Sequence, residues 1–595
     1  MIRKHFRLTL GALCAAALSA CATLPGDPVA SARATAPANP SEALHALFAR
    51  SDAAFVERNP IAAFYRGDFT NADRLGDSFG PDYHARERAA AEADLAALKA
   101  IDRAALSEAD RISYDAFAYN QARTLETTGP DAVRFEKHLP IDHFGGFHIQ
   151  YPRLSNPSGI MPFKTVTDYE NALKRHAQVP RVIDQAIARM REGMAAGVVQ
   201  PKLTVSMMID QLDTQLKMAT EQTPYWSAVT GFPDGMGATD RTRFTAAFRT
   251  AIERDIRPSL QKLRTFLADE YLPAARSSNG LSATPGGEAY YRYRIAEMTT
   301  LPLTAEEVHA TGLAEVARIG AELAKARAEA GGRKPTIYRD KAKLTQAWYD
   351  IGKKVDPLLP RLFASQPKTP LEIRPYEEYR EKYNLAASYN PGDPKTGRPG
   401  VFYFSGYDLP NREVYPTVRL YLHEGNPGHH FENMNAYENP VLPRFQRYGG
   451  YTAFSEGWGL YAEWLGYELG LYDDPVERIG ALQTGELHRA IRLVVDTGIH
   501  AKGWSREQAV DYMVSLGTPR DYALSETARY IVMPGQALAY KIGELKIKAL
   551  RKKAEAALGD RFDVRAFHAQ VLNSGGLPLP VLEAKIDRWI AAGGG

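Results

Sequence analysis

From Glu42 to about residue 130, and again from Val166 to Asn279, apolar positions recur at the spacing of a helix rather than of a strand. Alanine-rich stretches such as Ala89 to Leu98 add intrinsic helix preference to that periodicity. Thr304-Ala-Glu-Glu307 reads as a capping box at the head of a further helix running to about Ala330. One short run, Gly400-Val-Phe-Tyr-Phe404, carries β propensity between Pro399 and Gly406 and is the best strand candidate. The chain is therefore constrained to a mainly α architecture with a small β element, read as one α-rich unit over residues 42–595, with a lobe division near residue 280.

Three interruptions qualify the pattern. Leu139 to Leu154 carries His143, Gly145, Gly146 and His148 between flanking prolines, which predicts an ordered loop. Its histidines could bind substrate or metal, although hydrogen-bonded loop packing is the plainer reading. Phe232 to Gly237 and Leu281 to Gly287 are Pro/Gly-rich breaks. Neither an internal repeat nor a later apolar run long enough to cross a membrane is present.

The N-terminus is of a different kind. Arg3, Lys4 and Arg7 precede the apolar run Leu8 to Ala20, which is too short to span a bilayer and reads as a secretory signal over residues 1–20. Leu18-Ser-Ala-Cys21 resembles a bacterial lipobox, so Cys21 is expected to be lipidated and to anchor the protein to a membrane. Ala22 after it resembles lipoproteins sorted to the outer membrane, facing the periplasm. The Ala/Pro/Ser-rich residues up to 41 suit a flexible tether.

Removing the signal changes the chemistry available. The precursor has 73 basic and 70 acidic side chains; without Arg3, Lys4 and Arg7 the balance is 70 against 70, and no general attraction to nucleic acid follows. Of two cysteines, Cys14 leaves with the signal and Cys21 is modified. Cysteine nucleophiles, cysteine-ligated metals and disulfides are excluded.

Three of the fourteen histidines fall within residues 421–432, Tyr-Leu-His-Glu-Gly-Asn-Pro-Gly-His-His-Phe-Glu. Zinc peptidases place two histidines four apart, about 40° around a helix, with a glutamate after the first acting as base. Here His429 follows His423 by six positions, about 120° away on a straight helix, and His430 by seven, in phase but about 10 Å along the axis. Neither fits an unbroken helix. Pro427 favours a first helical turn and Asn426 is a good N-cap, so one helix can end near Glu424 and another begin at Pro427. That fold would bring His423 and either His429 or His430 onto one metal ion, with Glu424 beside the bound water. A polar corner whose histidines bond to backbone is the bland alternative.

A third ligand must come from elsewhere. In Phe454 to Glu463, Glu456 and Glu463 are seven apart and share a helical face, making Glu456 a candidate ligand and Glu463 a partner behind it. Ser455 could instead cap that helix, with Glu456 favouring its positive end; Trp458, Tyr461 and Trp464 suit the core. Asp496 and His500 are four apart, so the carboxylate could orient the imidazole for proton transfer. Gln536 and Tyr540 share a face after Pro534, and Lys541 adjoins them as a partner for a peptide carboxylate.

His-Glu-x-x-Pro-Gly-His-His, Ser-Glu-Gly-Trp-x-Leu-Tyr-Ala-Glu, Val495 to His500, Arg529-Tyr530 and Pro534 to Lys541 together resemble the bacterial domain of unknown function 885 family. The motifs cluster in residues 400–546; weaker likeness, including Gly287 to Tyr290 and Leu303 to Glu307, covers most of the mature chain. The resemblance implies a large multi-helical fold similar to the zincin metallopeptidases, including thimet oligopeptidase and the angiotensin-converting dipeptidases, with a deep cleft between lobes. It implies His423 as first ligand of a zinc ion, Glu424 as general base, His429 or His430 as second ligand and Glu456 as third. Arg529-Tyr530 is similar to a pair whose tyrosine stabilises a tetrahedral intermediate.

The leading expectation is a lipid-anchored zinc peptidase of the bacterial envelope, cutting short peptides, with Gly400 to Phe404 offering a strand edge to the substrate. Its rivals are a non-catalytic lipoprotein that binds peptides or a partner, and a metal-dependent hydrolase of a non-peptide or cell-wall amide.

Overall fold

The computed structural model describes residues 39–157, 159–376, 381 and 387–594. The signal segment, Cys21 and most of the tether lie outside them. The first helix, Pro40–Arg58, is opened by the Asn39 side chain, which accepts from the Glu42 N–H. Helices then account for nearly every element along the chain. At Thr304 the capping box forms as its sequence dictates, Thr304 and Glu307 bonding each other's backbone at the head of Ala305–Ala330.

The segment expected to be a loop from Leu139 to Leu154 is helical in its second half, Phe147–Leu154, with Pro152 inside. Proline has no N–H for the carbonyl four residues back, but Gln215 Nε2 donates to that His148 oxygen instead (3.0 Å), so the turn survives. His143 and His148 are both buried here, and Gln211 ties them together by bonding His148 Nε2 (3.1 Å) and the His143 carbonyl (2.9 Å). This is packing, as the plainer reading had it.

The β element is a three-stranded sheet in the order β1-β3-β2: β1 (Leu371–Pro375), β2 (Ser388–Asn390) and β3 (Gly400–Phe404). β1 runs parallel to β3 along all five residues, and β2 runs antiparallel to it over Val401 to Tyr403. The strand candidate is thus the middle strand, and the open edge expected of it is occupied on both sides. Its residues are all buried, Phe402 packing edge-on against Trp348.

One apolar core is built from residues between Phe64 and Ala275; a second gathers the sheet with helices from residue 344 to the C-terminus. Six helices position the candidate site: α1 (Val418–Glu424), α2 (His429–Tyr437), α3 (Thr452–Glu468) and α6 (Ala539–Leu558) from this second core, and α4 (His488–His500) and α5 (Arg520–Val532), which pack into a third core built from residues between Ile319 and Ala537. α3 and α6 touch backbone to backbone, since a Cβ on Gly457 would stand 2.6 Å from Gly543 Cα. Only glycine at both positions permits that approach. Trp458, fully buried on α3, donates its indole N–H to the Pro427 carbonyl (2.7 Å) and so pins the α1–α2 corner against α3. Losing such a side chain costs roughly 3–5 kcal/mol. Tyr461 is likewise core, bonded to His568. Trp464 is only partly buried, with Lys548 4.8 Å above its ring.

Candidate metal centre

The corner between α1 and α2 is set by four residues. Thr417 caps α1, accepting from the Leu420 N–H, and the helix stops at Glu424 because Gly425 leaves the helical region. Asn426 is not the cap of the next helix: it donates to Asp356 Oδ1 (3.3 Å), and α2 starts only at His429, after Gly428. At Gly428 any Cβ would collide with the carbonyl oxygens of Leu422 and His423. The chain therefore folds back tightly enough to stack two imidazoles edge to face, the His423 and His429 rings 4.8 Å apart.

Glu456 arrives from α3. Its Oε2 lies 3.5 Å from His423 Nε2 and 3.4 Å from His429 Nε2 and accepts no hydrogen bond. Among the described residues these three form the one group of metal-ligating side chains whose donor atoms converge. Donors at about 2.0–2.2 Å from a tetrahedral zinc ion stand about 3.3–3.5 Å from one another. The two distances to Glu456 equal that edge and are too long for charged hydrogen bonds, which close to about 2.7–2.9 Å. The residues present fit a divalent metal.

Behind each imidazole stands another carboxylate. Glu463, two helical turns along the same face from Glu456, places Oε1 2.9 Å from His423 Nδ1 and is held by Arg419 at 3.3 and 3.4 Å. Glu432 places Oε2 3.5 Å from His429 Nδ1 and accepts from Ser455 Oγ (2.7 Å). Ser455 lies inside α3, which begins at Thr452, and is a tie to Glu432 rather than a cap. A proton on each Nδ1, the nitrogen nearer the carboxylate behind the ring, would leave both Nε2 lone pairs facing Glu456, the arrangement that orients metal-binding histidines.

The electrostatics agree. Burial opposes charge on both rings, yet Glu456 and Glu463 raise His423 above the ordinary histidine value, and Glu432 and Glu456 raise His429 well above it. Burial alone would raise Glu456, but the two imidazoles hold it well below the carboxylate range. A cluster this rich in carboxylates stabilises positive charge, and a dication would replace the protons its ligands must release. Glu424 is buried beside His429, close enough for its charge to act on that ring, and its carboxylate accepts no hydrogen bond from the described residues.

Other residues singled out in the sequence lie elsewhere. His430 follows His429 by about 100° around α2 and faces away; Nε2 meets the Thr369 carbonyl (3.0 Å) and Nδ1 the Tyr389 hydroxyl (3.0 Å), and burial lowers it to about 4. It is not placed to share a metal with His423. The Asp496–His500 pair does not form: Asp496 accepts from the Tyr291 hydroxyl (2.6 Å) and the Gly535 N–H, while His500 Nε2 points to the Tyr530 carbonyl (2.9 Å). His500 is fully buried, and burial lowers it to about 3. The Tyr530 hydroxyl, expected as an oxyanion donor, is spent on Glu526 one turn back (2.6 Å) and accepts from Arg492 Nε (3.0 Å). Arg529 holds Glu526 (3.2 Å) and Gln536 Oε1 (2.6 Å). Lys541 is wholly buried among Glu544, Glu486 and Glu315 at 2.8, 3.2 and 3.3 Å, so it cannot meet a substrate carboxylate. Tyr540 is partly open, its ring lying under Arg492 (4.5 Å) and Arg489 (5.8 Å).

Glu432, Arg419 and Arg489 were not singled out from sequence. Glu432 had a signal, three residues after His429 on one helix; the arginines come from separate elements and had none.

A family described as bacterial protein of unknown function, DUF885, matches residues 60–586. The chain belongs to the DUF885 family. Among solved structures, a protein from Colwellia psychrerythraea described as a lipoprotein superposes with a TM-score of 0.85 at 25% identity, covering 93% of this chain and all of that one. A lipoprotein of unknown function from Shewanella oneidensis gives 0.65 at 18% identity over 91% of this chain and 99% of its own. A protein from Bacillus anthracis str. Ames described as an oligoendopeptidase F gives 0.28 at 10% identity, over 84% of this chain and 96% of that one, too little to bear on the fold. None of the curated proteins matches this DUF885 member.

Proposed function

We propose that this DUF885 protein is a zinc-dependent hydrolase of peptide or closely related amide bonds, tethered to the bacterial envelope through Cys21. The observation that carries the reading is that Glu456 Oε2 stands at tetrahedral-edge distance from both His423 Nε2 and His429 Nε2, the donor atoms of the three residues lying within 4.8 Å of one another, with Glu424 free beside them. Two neutral imidazoles and a carboxylate suit zinc without excluding its neighbours. Bound there, the metal would supply a Lewis acid for a substrate carbonyl and lower the pKa of water. Glu424 takes the proton of the attacking water, its carboxylate being uncommitted to any described donor. Glu463 and Glu432 hold the imidazoles in one tautomer, and Arg419 keeps Glu463 ionised and in place.

The envelope location rests on the lipobox-like Leu18 to Cys21 and on the two solved relatives, both described as lipoproteins. No helix among the described residues is long and apolar enough to cross a membrane.

The test is Glu424→Gln, assayed on a peptide library beside the wild type. Metal content should stay at one per chain while turnover falls by about 10²–10⁴. Wild-type turnover in the variant would remove Glu424 from the mechanism.

A further inference from the structure

Positive charge collects beside the metal centre without matching negative charge. The guanidinium groups of Arg419, Arg489, Arg492 and Arg529 share two carboxylates among the described residues: Arg419 is on Glu463, while Arg492 (2.8 Å) and Arg529 (3.2 Å) both use Glu526. Arg489 is left over. Its Nη1 donates to the Thr484 carbonyl, and its nearest carboxylate oxygen is Glu463 Oε1, 4.0 Å from Nη2 and already claimed by Arg419 and His423. Arg489 Nε and Arg492 Nη1 are buried without a hydrogen-bond partner. Both residues are nine-tenths buried or more, and a buried cation that shares its carboxylate and leaves a donor without an acceptor is costly unless something anionic meets it.

Tyr540 lies against both arginines, its ring 4.5 Å from Arg492 and 5.8 Å from Arg489. Its hydroxyl and Arg489 Nη2 make no hydrogen bond among the described residues. A planar guanidinium and a phenol on one face make a donor set for a carboxylate. The group is also close to the chemistry. Arg489 Nη2 and His423 Nδ1 approach the same Glu463 oxygen at 4.0 and 2.9 Å, which puts the guanidinium within the length of about three residues of extended peptide from the metal-facing side of His423.

We propose that Arg489, Arg492 and Tyr540 form a carboxylate-binding subsite, so that the substrate is a peptide presenting a carboxylate within about three residues of the bond cut. The carboxylate is that of the C-terminus or of an acidic side chain. This inference rests on the hydrolase reading above and takes over the role the sequence gave to Lys541.

The experiment uses pools of N-acetylated tri- to pentapeptides of mixed sequence in three forms: free acid, C-terminal amide, and amide containing one glutamate. Retention is measured on metal-free wild-type protein and on zinc-loaded Glu424→Gln, and cleavage on zinc-loaded wild type. A preference of about tenfold or more for the free acid over the plain amide assigns a C-terminal carboxylate, and the same preference for the glutamate pool an acidic side chain. Either preference should disappear in Arg489→Gln and, should that variant not fold, shrink in Tyr540→Phe, which removes one hydroxyl. Equal handling of all three pools, retention of none of them, or a preference that survives both substitutions overturns the subsite. Cleavage without preference leaves the hydrolase reading standing, whereas carboxylate-selective retention without cleavage leaves the subsite standing and removes that reading.

Discussion

Gly459→Ala adds one methyl group to α3 and replaces no ligand. In the structure its Cβ would stand 2.7 Å from His423 Cε1 and 2.9 Å from Nδ1. Carbon atoms pack at about 3.5 Å or more, so the imidazole must retreat by roughly 0.8 Å. Metal–donor bonds tolerate about 0.2 Å, and the retreat also strains the contact between His423 and Glu463. Disturbing the support of one ligand typically lowers metal affinity 10–100-fold, or about 1.4–2.7 kcal/mol. The fold should suffer less. Overpacking costs about 1–3 kcal/mol, and replacing glycine within a helix returns up to about 1 kcal/mol. The assay is competitive zinc titration against a chromogenic chelator, with a thermal melt of the metal-free protein as control. Gly457→Ala, two residues away and facing Gly543, should do the reverse, lowering the melting temperature through the α3–α6 contact. Zinc affinity unchanged in a folded Gly459→Ala protein would refute the placement of His423 in a metal site.

Two further outcomes follow from the geometry. His430→Gln should keep one zinc per chain while His429→Gln loses it, read by mass spectrometry of the metal; the opposite pattern would turn α2 by one residue. Lys585 is buried, with its ammonium on the Gln570 carbonyl and Ser574 Oγ, and burial lowers it to about 7. Between that value and about 10.5 the unfolded chain holds a proton that the folded protein has shed, so this group makes stability rise with pH by about 1.4 kcal/mol per unit. Lys585→Met should flatten that part of the profile in urea denaturation from pH 7.5 to 9.5, and parallel profiles for the two proteins would show that Lys585 keeps its charge.

What the sequence disclosed follows a physical divide. Local signals survived: the helical periodicity, the Thr304 capping box and the limits of Gly400–Phe404 all depend on neighbours a few residues apart. The break after Glu424 was legible for the same reason. The start of the next helix was not, because Gly428, crowded by the Leu422 and His423 carbonyls, and not Pro427, sets where α2 begins. That shift decides which histidine faces Glu456. Distant competition accounts for the rest. Asp496 goes to Tyr291, some two hundred positions earlier, rather than to its helical neighbour His500. Lys541 is surrounded by acids from three elements, and β3 becomes a middle strand because the short β1 and β2, one ending in proline, carry little signal of their own.

The central claim is that His423, His429 and Glu456 hold a metal ion. Inductively coupled plasma mass spectrometry on tag-free mature protein, purified without added metal beside a His423→Ala control, tests it most directly. The expected result is about one zinc per chain, lost in the control. A folded wild-type protein without metal, and unable to take up zinc on titration, would contradict it.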